Sequence, residues 1–234
     1  MNEQTFVALL KEKGLSLSDL QIQQFRQYAS ILQQWNAVMD LTAICELEQI
    51  YEKHFYDSLL SSFTFSYQNQ SLLDVGSGAG FPGLVLKIAF PQLKVTLLEP
   101  TGKRCRFLNE VIQQLHLEGI QVLQGRAEDV VTSLREQFDL VTARAVAGLP
   151  ILSELCAPFL KVNGTMIALK GSRGEEELHQ SQNALKELGL ELSSSQIYPL
   201  PEEGQMRVLY FFLKTKNTPK KYPRNFGAIK KHPL

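Results

Sequence analysis

Apolar positions along the chain follow two rhythms. Phe6, Val7, Leu9 and Leu10 recur at helical spacing and stop at Gly14, predicting a helix over residues 3–13. Ser18 and Gln21 form a capping-box pattern that opens a second helix running to about Met39. Its stripe is Leu20, Phe25, Tyr28, Leu32 and Trp35, with Trp35 read as a packing residue. A turn over residues 36–42 leads to a third helical stretch, from Glu46 to about Ser62, which carries His54, Asp57 and Ser58. From Ser71 the rhythm changes. Short apolar runs at 71–74, 94–98, 120–123, 138–142 and 165–170 alternate with helical patterns at 84–90, 101–115, 127–134, 149–160 and 174–188. Two more runs, 190–199 and 206–213, follow each other with no helix between them. The expected fold is α/β: a seven-stranded, mostly parallel sheet with an antiparallel edge hairpin. Residues 1–66 are expected to form an N-terminal helical cap, 67–213 the core, and 214–234 a C-terminal tail.

The organising stretch is Ser71 to Glu99, which reads as strand, turn, helix, strand with a right-handed crossover. Its turn holds Gly76, Gly78 and Gly80, then Phe81, Pro82 and Gly83. Pro82 suits the first turn of the helix that follows. The glycine spacing is not G-x-G-x-x-G. Asp74, just before the first glycine, repels a pyrophosphate but can accept hydrogen bonds from an ammonium. Glu99 ends the second strand, where an acid can accept from both hydroxyls of a ribose. An amine, a ribose and no phosphate describe S-adenosylmethionine. NAD remains the rival, because its fingerprint also combines glycines with a distal acid.

Ligands of open α/β sheets bind over the carboxyl ends of the strands. Those ends are 74–81, Glu99, 125–128, 142–147 and 170–173, so five strands deliver glycine or polar residues to one rim. With S-adenosylmethionine bound, the reaction is methyl transfer, and the acceptor must be held in line with the methyl. The turn at 142–147 lacks the Asn- or Asp-Pro-Pro-aromatic pattern used for exocyclic amines, and no cysteine is placed as a nucleophile. An acceptor that is already nucleophilic, such as guanine N7, needs no general base. Arg144 lies at this rim between small residues. Its fork of donors matches a guanine edge, a phosphate or a cofactor carboxylate, and also a plain salt bridge at a helix start. His54 and Asp57 read either as a helix-surface pair that locks the cap or as part of the site.

Charge adds a further asymmetry. The 234 residues carry 24 Lys or Arg and 24 Asp or Glu, for a formal net charge of zero. Seven of the basic residues and no acid lie in 214–234, leaving 17 basic and 24 acidic in the first 213. A basic end on an acidic body suits a polyanionic partner, or a solvated terminus. Cys45, Cys105 and Cys156 have no metal-ligand spacing and are expected to be thiols in a reducing compartment. No signal pattern or membrane-length apolar run is present, so a cytoplasmic protein is expected.

Together these pieces resemble the RsmG (GidB) family of bacterial methyltransferases of small-subunit ribosomal RNA. The matching segments are WNAVMDLTAI (35–44), KHFYDSLL (53–60), LLDVGSGAGFPGLVLKIAFP (72–91) and GKRCRFL (102–108). RAED (126–129), FDLVTARAVA (138–147), ALKG (168–171) and KNTPKKYPRNFG (216–227) complete the set. The resemblance implies a Rossmann-like class I methyltransferase with an N-terminal helical extension. It implies S-adenosylmethionine as donor and N7 of a guanine in 16S ribosomal RNA, conventionally position 527, as acceptor. It places Gly76 and Phe81 at the cofactor, alongside Gly78 of the same loop and the acids Asp74 and Glu99 already read from the strand ends, and Ala127 and Glu128 by its adenine. Arg144 is placed near both the cofactor and the incoming base, as the catalytic residue. A monomer acting on the small subunit is expected. An RNA-binding protein with a regulatory cofactor pocket is the alternative.

Overall fold

The computed structural model describes residues 1–234. Its strands are β1 (Ser71–Val75), β2 (Lys94–Glu99), β3 (Ile120–Gln124), β4 (Phe138–Arg144), β5 (Leu160–Lys170), β6 (Leu190–Pro199) and β7 (Met206–Lys214). They form one sheet in the order β3-β2-β1-β4-β5-β7-β6. The pairs from β3 to β5 are parallel; β7 is antiparallel to both β5 and β6. The strand order reverses between β1 and β4, so the crevice at the switch point lies over those two strand tips.

The helices are α1 (Glu3–Glu12), α2 (Asp19–Asn36), α3 (Leu47–Gln49), α4 (Asp57–Leu59), α5 (Gly83–Ala89), α6 (Gly102–Gln114), α7 (Ala127–Leu134), α8 (Leu149–Cys156), α9 (Gly174–Gln180), α10 (Gln182–Leu188) and α11 (Phe226–Lys231). No helix is long and apolar enough to cross a membrane. Alternation along the strands divides the core into two faces. Leu72, Leu97, Leu140 and Ile167 share one face with Leu84 and Ile88 of α5, Phe107 and Val111 of α6, and Phe6, Phe25, Tyr28 and Phe55 of the cap. Leu73, Val141 and Met166 share the other with Val131, Leu152, Leu155, Leu188 and Ile229. The cap therefore has no core of its own. Phe55, fully buried, meets Phe25 and Tyr28 at ring-centroid distances of 5.1 and 5.2 Å. Burying such a ring contributes about 2–3 kcal/mol. Trp35 packs edge-on against Phe107, as its place on the α2 stripe predicts.

Several boundaries differ from the sequence reading, each for a local reason. The helix expected to reach Met39 ends at Asn36, whose side-chain Oδ1 accepts from the Leu41 and Thr42 amides and closes the turn. The third helical stretch is continuous over 47–63, but Ile50–Tyr56 within it is a π-helix. The helix expected over 149–160 gives way at Cys156 to a 3-10 turn, Ala157–Phe159, around Pro158, which has no amide to donate. The helix expected over 174–188 breaks at Ser181, whose hydroxyl donates to the Glu177 carbonyl at 2.6 Å. β5 begins at Leu160 rather than Thr165, because Leu160 pairs with Phe138 across a register shift. Pro82 stands at the N-cap of α5 rather than inside its first turn.

Residues 214–234 are docked on the second face. Lys214 is buried at the end of β7 and donates to the Ala157 carbonyl at 2.7 Å. Tyr222 and Ile229 are buried, and Arg224 forks onto the buried Glu154 through Nε and Nη2 at 2.9 and 2.6 Å. Arg135 donates to the Tyr222 carbonyl. Lys216, Lys220, Lys221, Lys230 and Lys231 stay exposed.

Candidate active site at the tips of β1, β2 and β4

Register fixes which side chains share the site. Asp74 lies opposite Leu97 and Thr142 in the parallel ladder, and Glu99 lies two residues beyond Leu97. Arg144 lies two beyond Thr142. The period of two therefore turns Asp74, Glu99 and Arg144 to the same face, the one the cap covers.

The loop from Gly76 to Pro82 crosses over the first two tips. Gly76, Gly78 and Gly80 all have left-handed φ, at +71°, +59° and +96°. At Gly78 a side chain would meet only the Gly76 carbonyl oxygen, at 3.9 Å, so this face of the loop is an open cradle. Glu99 holds the loop from below: its Oε2 accepts from the Gly78 amide and its Oε1 from the Thr101 amide, both at 2.9 Å. A carboxylate has about four lone-pair sites, so Glu99 keeps accepting capacity. At Gly83 an added Cβ would stand 2.7 Å from Asp74 Oδ2; that close approach lets the Gly83 amide donate to this oxygen at 3.0 Å. The other oxygen, Oδ1, is buried with no partner. An unpaired buried acceptor is costly. Burial pushes the Asp74 carboxyl up to about 7, against the Gly83 and Ser77 hydrogen bonds and the Arg144 charge, which favour ionisation; the Glu99 charge adds to the rise. Beyond β3, Ala127 opens α7 and packs into the second face, while Glu128 is half-buried 4.0 Å from Arg126.

Phe81 is in the loop, but its ring points into the cap rather than over the cradle. It stacks on Tyr28 at 5.7 Å and on His54 at 4.2 Å and 16°, with the Arg144 guanidinium 4.9 Å from its centroid. Arg144 Nη1 donates to the Lys53 carbonyl (2.8 Å) and Asp57 Oδ2 (2.9 Å), and Nη2 donates to His54 Nδ1 (3.0 Å). His54 and Asp57 thus do not pair with each other on a helix surface; both are buried and both hold Arg144. Arginine can only donate, so Nδ1 accepts and Nε2 carries the proton toward Thr42 Oγ1 at 3.0 Å. Burial and the Arg144 charge lower His54 to about 3, which keeps it neutral.

Beside this cluster a cavity of about 850 Å³ opens between the tips of β4 and β5, with Lys53, Arg144, Lys170, Arg173 and Arg207 among its lining residues. It lies next to the glycine loop rather than over it, within the size range of ligand pockets. The sequence reading missed Arg207, whose Nε donates to Asp57 Oδ1 at 3.1 Å. It also missed Tyr28, whose hydroxyl donates to the Ala79 carbonyl inside the loop. Neither carries a local sequence signal.

Among solved structures, M. jannaschii TYW2 in complex with AdoMet superimposes with a TM-score of 0.58. The match is 17% identical and covers 75% of this chain and 81% of that one. The sheet order, the reversed β7 and the loop over β1 are those of a Rossmann-like class I methyltransferase fold with an N-terminal helical extension. A family model described as rRNA small subunit methyltransferase G, GidB, matches residues 21–201. The ribosomal RNA small subunit methyltransferase G of Lysinibacillus sphaericus is 47% identical over 237 aligned positions, covering all of both chains. That of Staphylococcus aureus is 46% identical over 227, covering 96% of this chain and 95% of its own. The chain belongs to the GidB family.

Proposed function

We propose that the protein transfers a methyl group from S-adenosylmethionine to N7 of a guanine, conventionally position 527, in 16S ribosomal RNA. The observation that carries this reading is the pair Asp74 and Glu99: two buried carboxylates on one face at neighbouring strand tips, one with an orphaned oxygen, beside an open glycine cradle. The residues fit the cofactor. Asp74 Oδ1 would accept from its ammonium, directly or through water, Glu99 from its ribose hydroxyls, the Gly76–Gly78 backbone would allow its close approach, and Ala127 and Glu128 would surround its adenine. When bound, it supplies a methyl already activated on a sulfonium. Guanine N7 has a free lone pair and no proton to lose. The chain's task is to orient the base and exclude water, and Arg144, which lines the 850 Å³ cavity, would contact that base. A base unstacked from RNA can enter such a cavity. The test is uptake of labelled methyl from S-adenosylmethionine into small-subunit particles from a strain lacking the gene. Stoichiometric uptake is expected; RNA binding with no uptake would assign the chain to RNA binding alone.

The state of Asp74 makes cofactor affinity depend on pH. Between the ordinary 3.8 and about 7 the folded protein holds a proton on Asp74 that the unfolded chain has lost, so its ionisation costs stability as pH rises through that window. A cation against Oδ1 favours the ionised form and displaces the proton. Affinity measured by calorimetry is therefore expected to fall roughly 5–10-fold from pH 7.5 to pH 6, and to lose this slope in Asp74→Asn. A flat wild-type profile contradicts it.

The exposed tail lysines are read as phosphate contacts. Deleting residues 214–234 would strip Tyr222 and Ile229 from the core, so side-chain substitution is the cleaner test. Replacing Lys216, Lys220 and Lys221 by alanine is expected to reduce the slope of log affinity for RNA against log salt by about 2. An unchanged slope would make these lysines a solvated surface only.

A further inference from the structure

We propose that Asp57 is a positioning residue that holds Arg144 so that two of its N–H donors face the incoming base. The inference rests on the function proposed above and goes on to how the base is selected. Arginine has five donors, and three of Arg144's are taken by the Lys53 carbonyl, Asp57 Oδ2 and His54 Nδ1. Nε–H and one Nη2–H remain without a partner, on a residue that lines the acceptor cavity. Guanine O6 is an acceptor beside N7, whereas adenine presents an amino donor there. A guanidinium fixed in this way donates to the first and opposes the second, and it leaves N7 its lone pair only if its orientation is fixed.

Asp57 provides that fixity. It is 5% exposed and stands between two guanidinium groups, with Oδ2 on Arg144 at 2.9 Å and Oδ1 on Arg207 at 3.1 Å. Without the carboxylate the two cations repel, and each loses a charge-assisted bond. Asp57 follows directly on the π-helical segment Ile50–Tyr56, which also supplies His54 and the Lys53 carbonyl. Such segments are rare and recur at functional sites. The second anchor, His54, lies flat on Phe81 of the glycine loop, so Arg144 is tied at once to the loop and to the cap.

The test is a double-mutant cycle with Asp57→Asn and Arg144→Lys, reading kcat and KM for small-subunit RNA and cofactor affinity separately. Asp57→Asn is expected to lower kcat/KM for RNA about 30–100-fold, while cofactor affinity stays within about threefold. In the Arg144→Lys background the same change is expected to cost less than about threefold more, because lysine has no fork to position. Asp57→Glu keeps the charge between the two arginines but displaces the carboxylate; it is expected to remain at least about tenfold slower. It replaces Asp57→Asn in the cycle should the latter not fold. Wild-type kcat/KM in either Asp57 variant overturns the proposal, as does an undiminished effect in the Arg144→Lys background. Absence of methyl transfer by the wild-type protein removes the proposed function and this inference together; those other results remove the inference alone.

Discussion

Glu99→Gln is expected to weaken S-adenosylmethionine binding by about 100-fold or more while the protein stays folded. The carboxylate has two jobs at once. Each of its oxygens accepts one backbone amide, from Gly78 and from Thr101, at 2.9 Å. It is also the acceptor proposed for the ribose hydroxyls. An amide keeps the shape but only one accepting atom, so its NH2 faces one of those two N–H groups. That cost falls on the free and the bound protein alike; what lowers affinity is the loss of the charged acceptor for the ribose hydroxyls, each such bond contributing about 1.5–3 kcal/mol. Roughly 3 kcal/mol of lost ligand contact corresponds to about two decades in affinity. The measurement is calorimetric titration, with circular dichroism as the control for folding. Affinity within threefold of wild type would remove Glu99 from the cofactor site.

Arg144→Ala is expected to lower single-turnover methylation of RNA by about 100- to 1,000-fold, with cofactor affinity changed only a few-fold. The asymmetry follows from where the guanidinium lies. It has no hydrogen bond to the glycine loop or to Glu99, and meets that loop only through the face of Phe81 at 4.9 Å. Its hydrogen bonds go to the cap, and its free donors belong to a residue lining the 850 Å³ cavity. Truncation also leaves the Asp57 carboxylate with Arg207 alone and His54 Nδ1 with no donor, so a lower thermal midpoint should accompany the lost activity. Full activity in a folded variant would reduce Arg144 to a structural tie between β4 and the cap.

How much of this was legible in the chain depended on range in sequence. The capping box of α2 was readable because Ser18 and Gln21 answer each other across three residues, and both reciprocal bonds form. The glycine loop and the two acids were readable because strand, turn and next strand are consecutive. The π-helical segment was not, since its apolar spacing over 50–56 differs little from that of an α-helix. The early start of β5 was hidden by Lys161, Val162 and Asn163, all exposed, with Asn163 at a φ of +69°. The cluster around Asp57 was hidden by distance: its partners Arg144 and Arg207 lie 87 and 150 residues away. Residues 214–234 were read by their charge, yet Tyr222, Arg224 and Ile229 decide where they dock.

The most direct measurement is mass-spectrometric mapping of small-subunit RNA from a strain lacking the gene, before and after incubation with the protein and S-adenosylmethionine. One added methyl, on N7 of a single guanine at the position conventionally numbered 527, is the expected result. A methyl on another base or atom, or none on RNA that the protein nevertheless binds, would contradict the account.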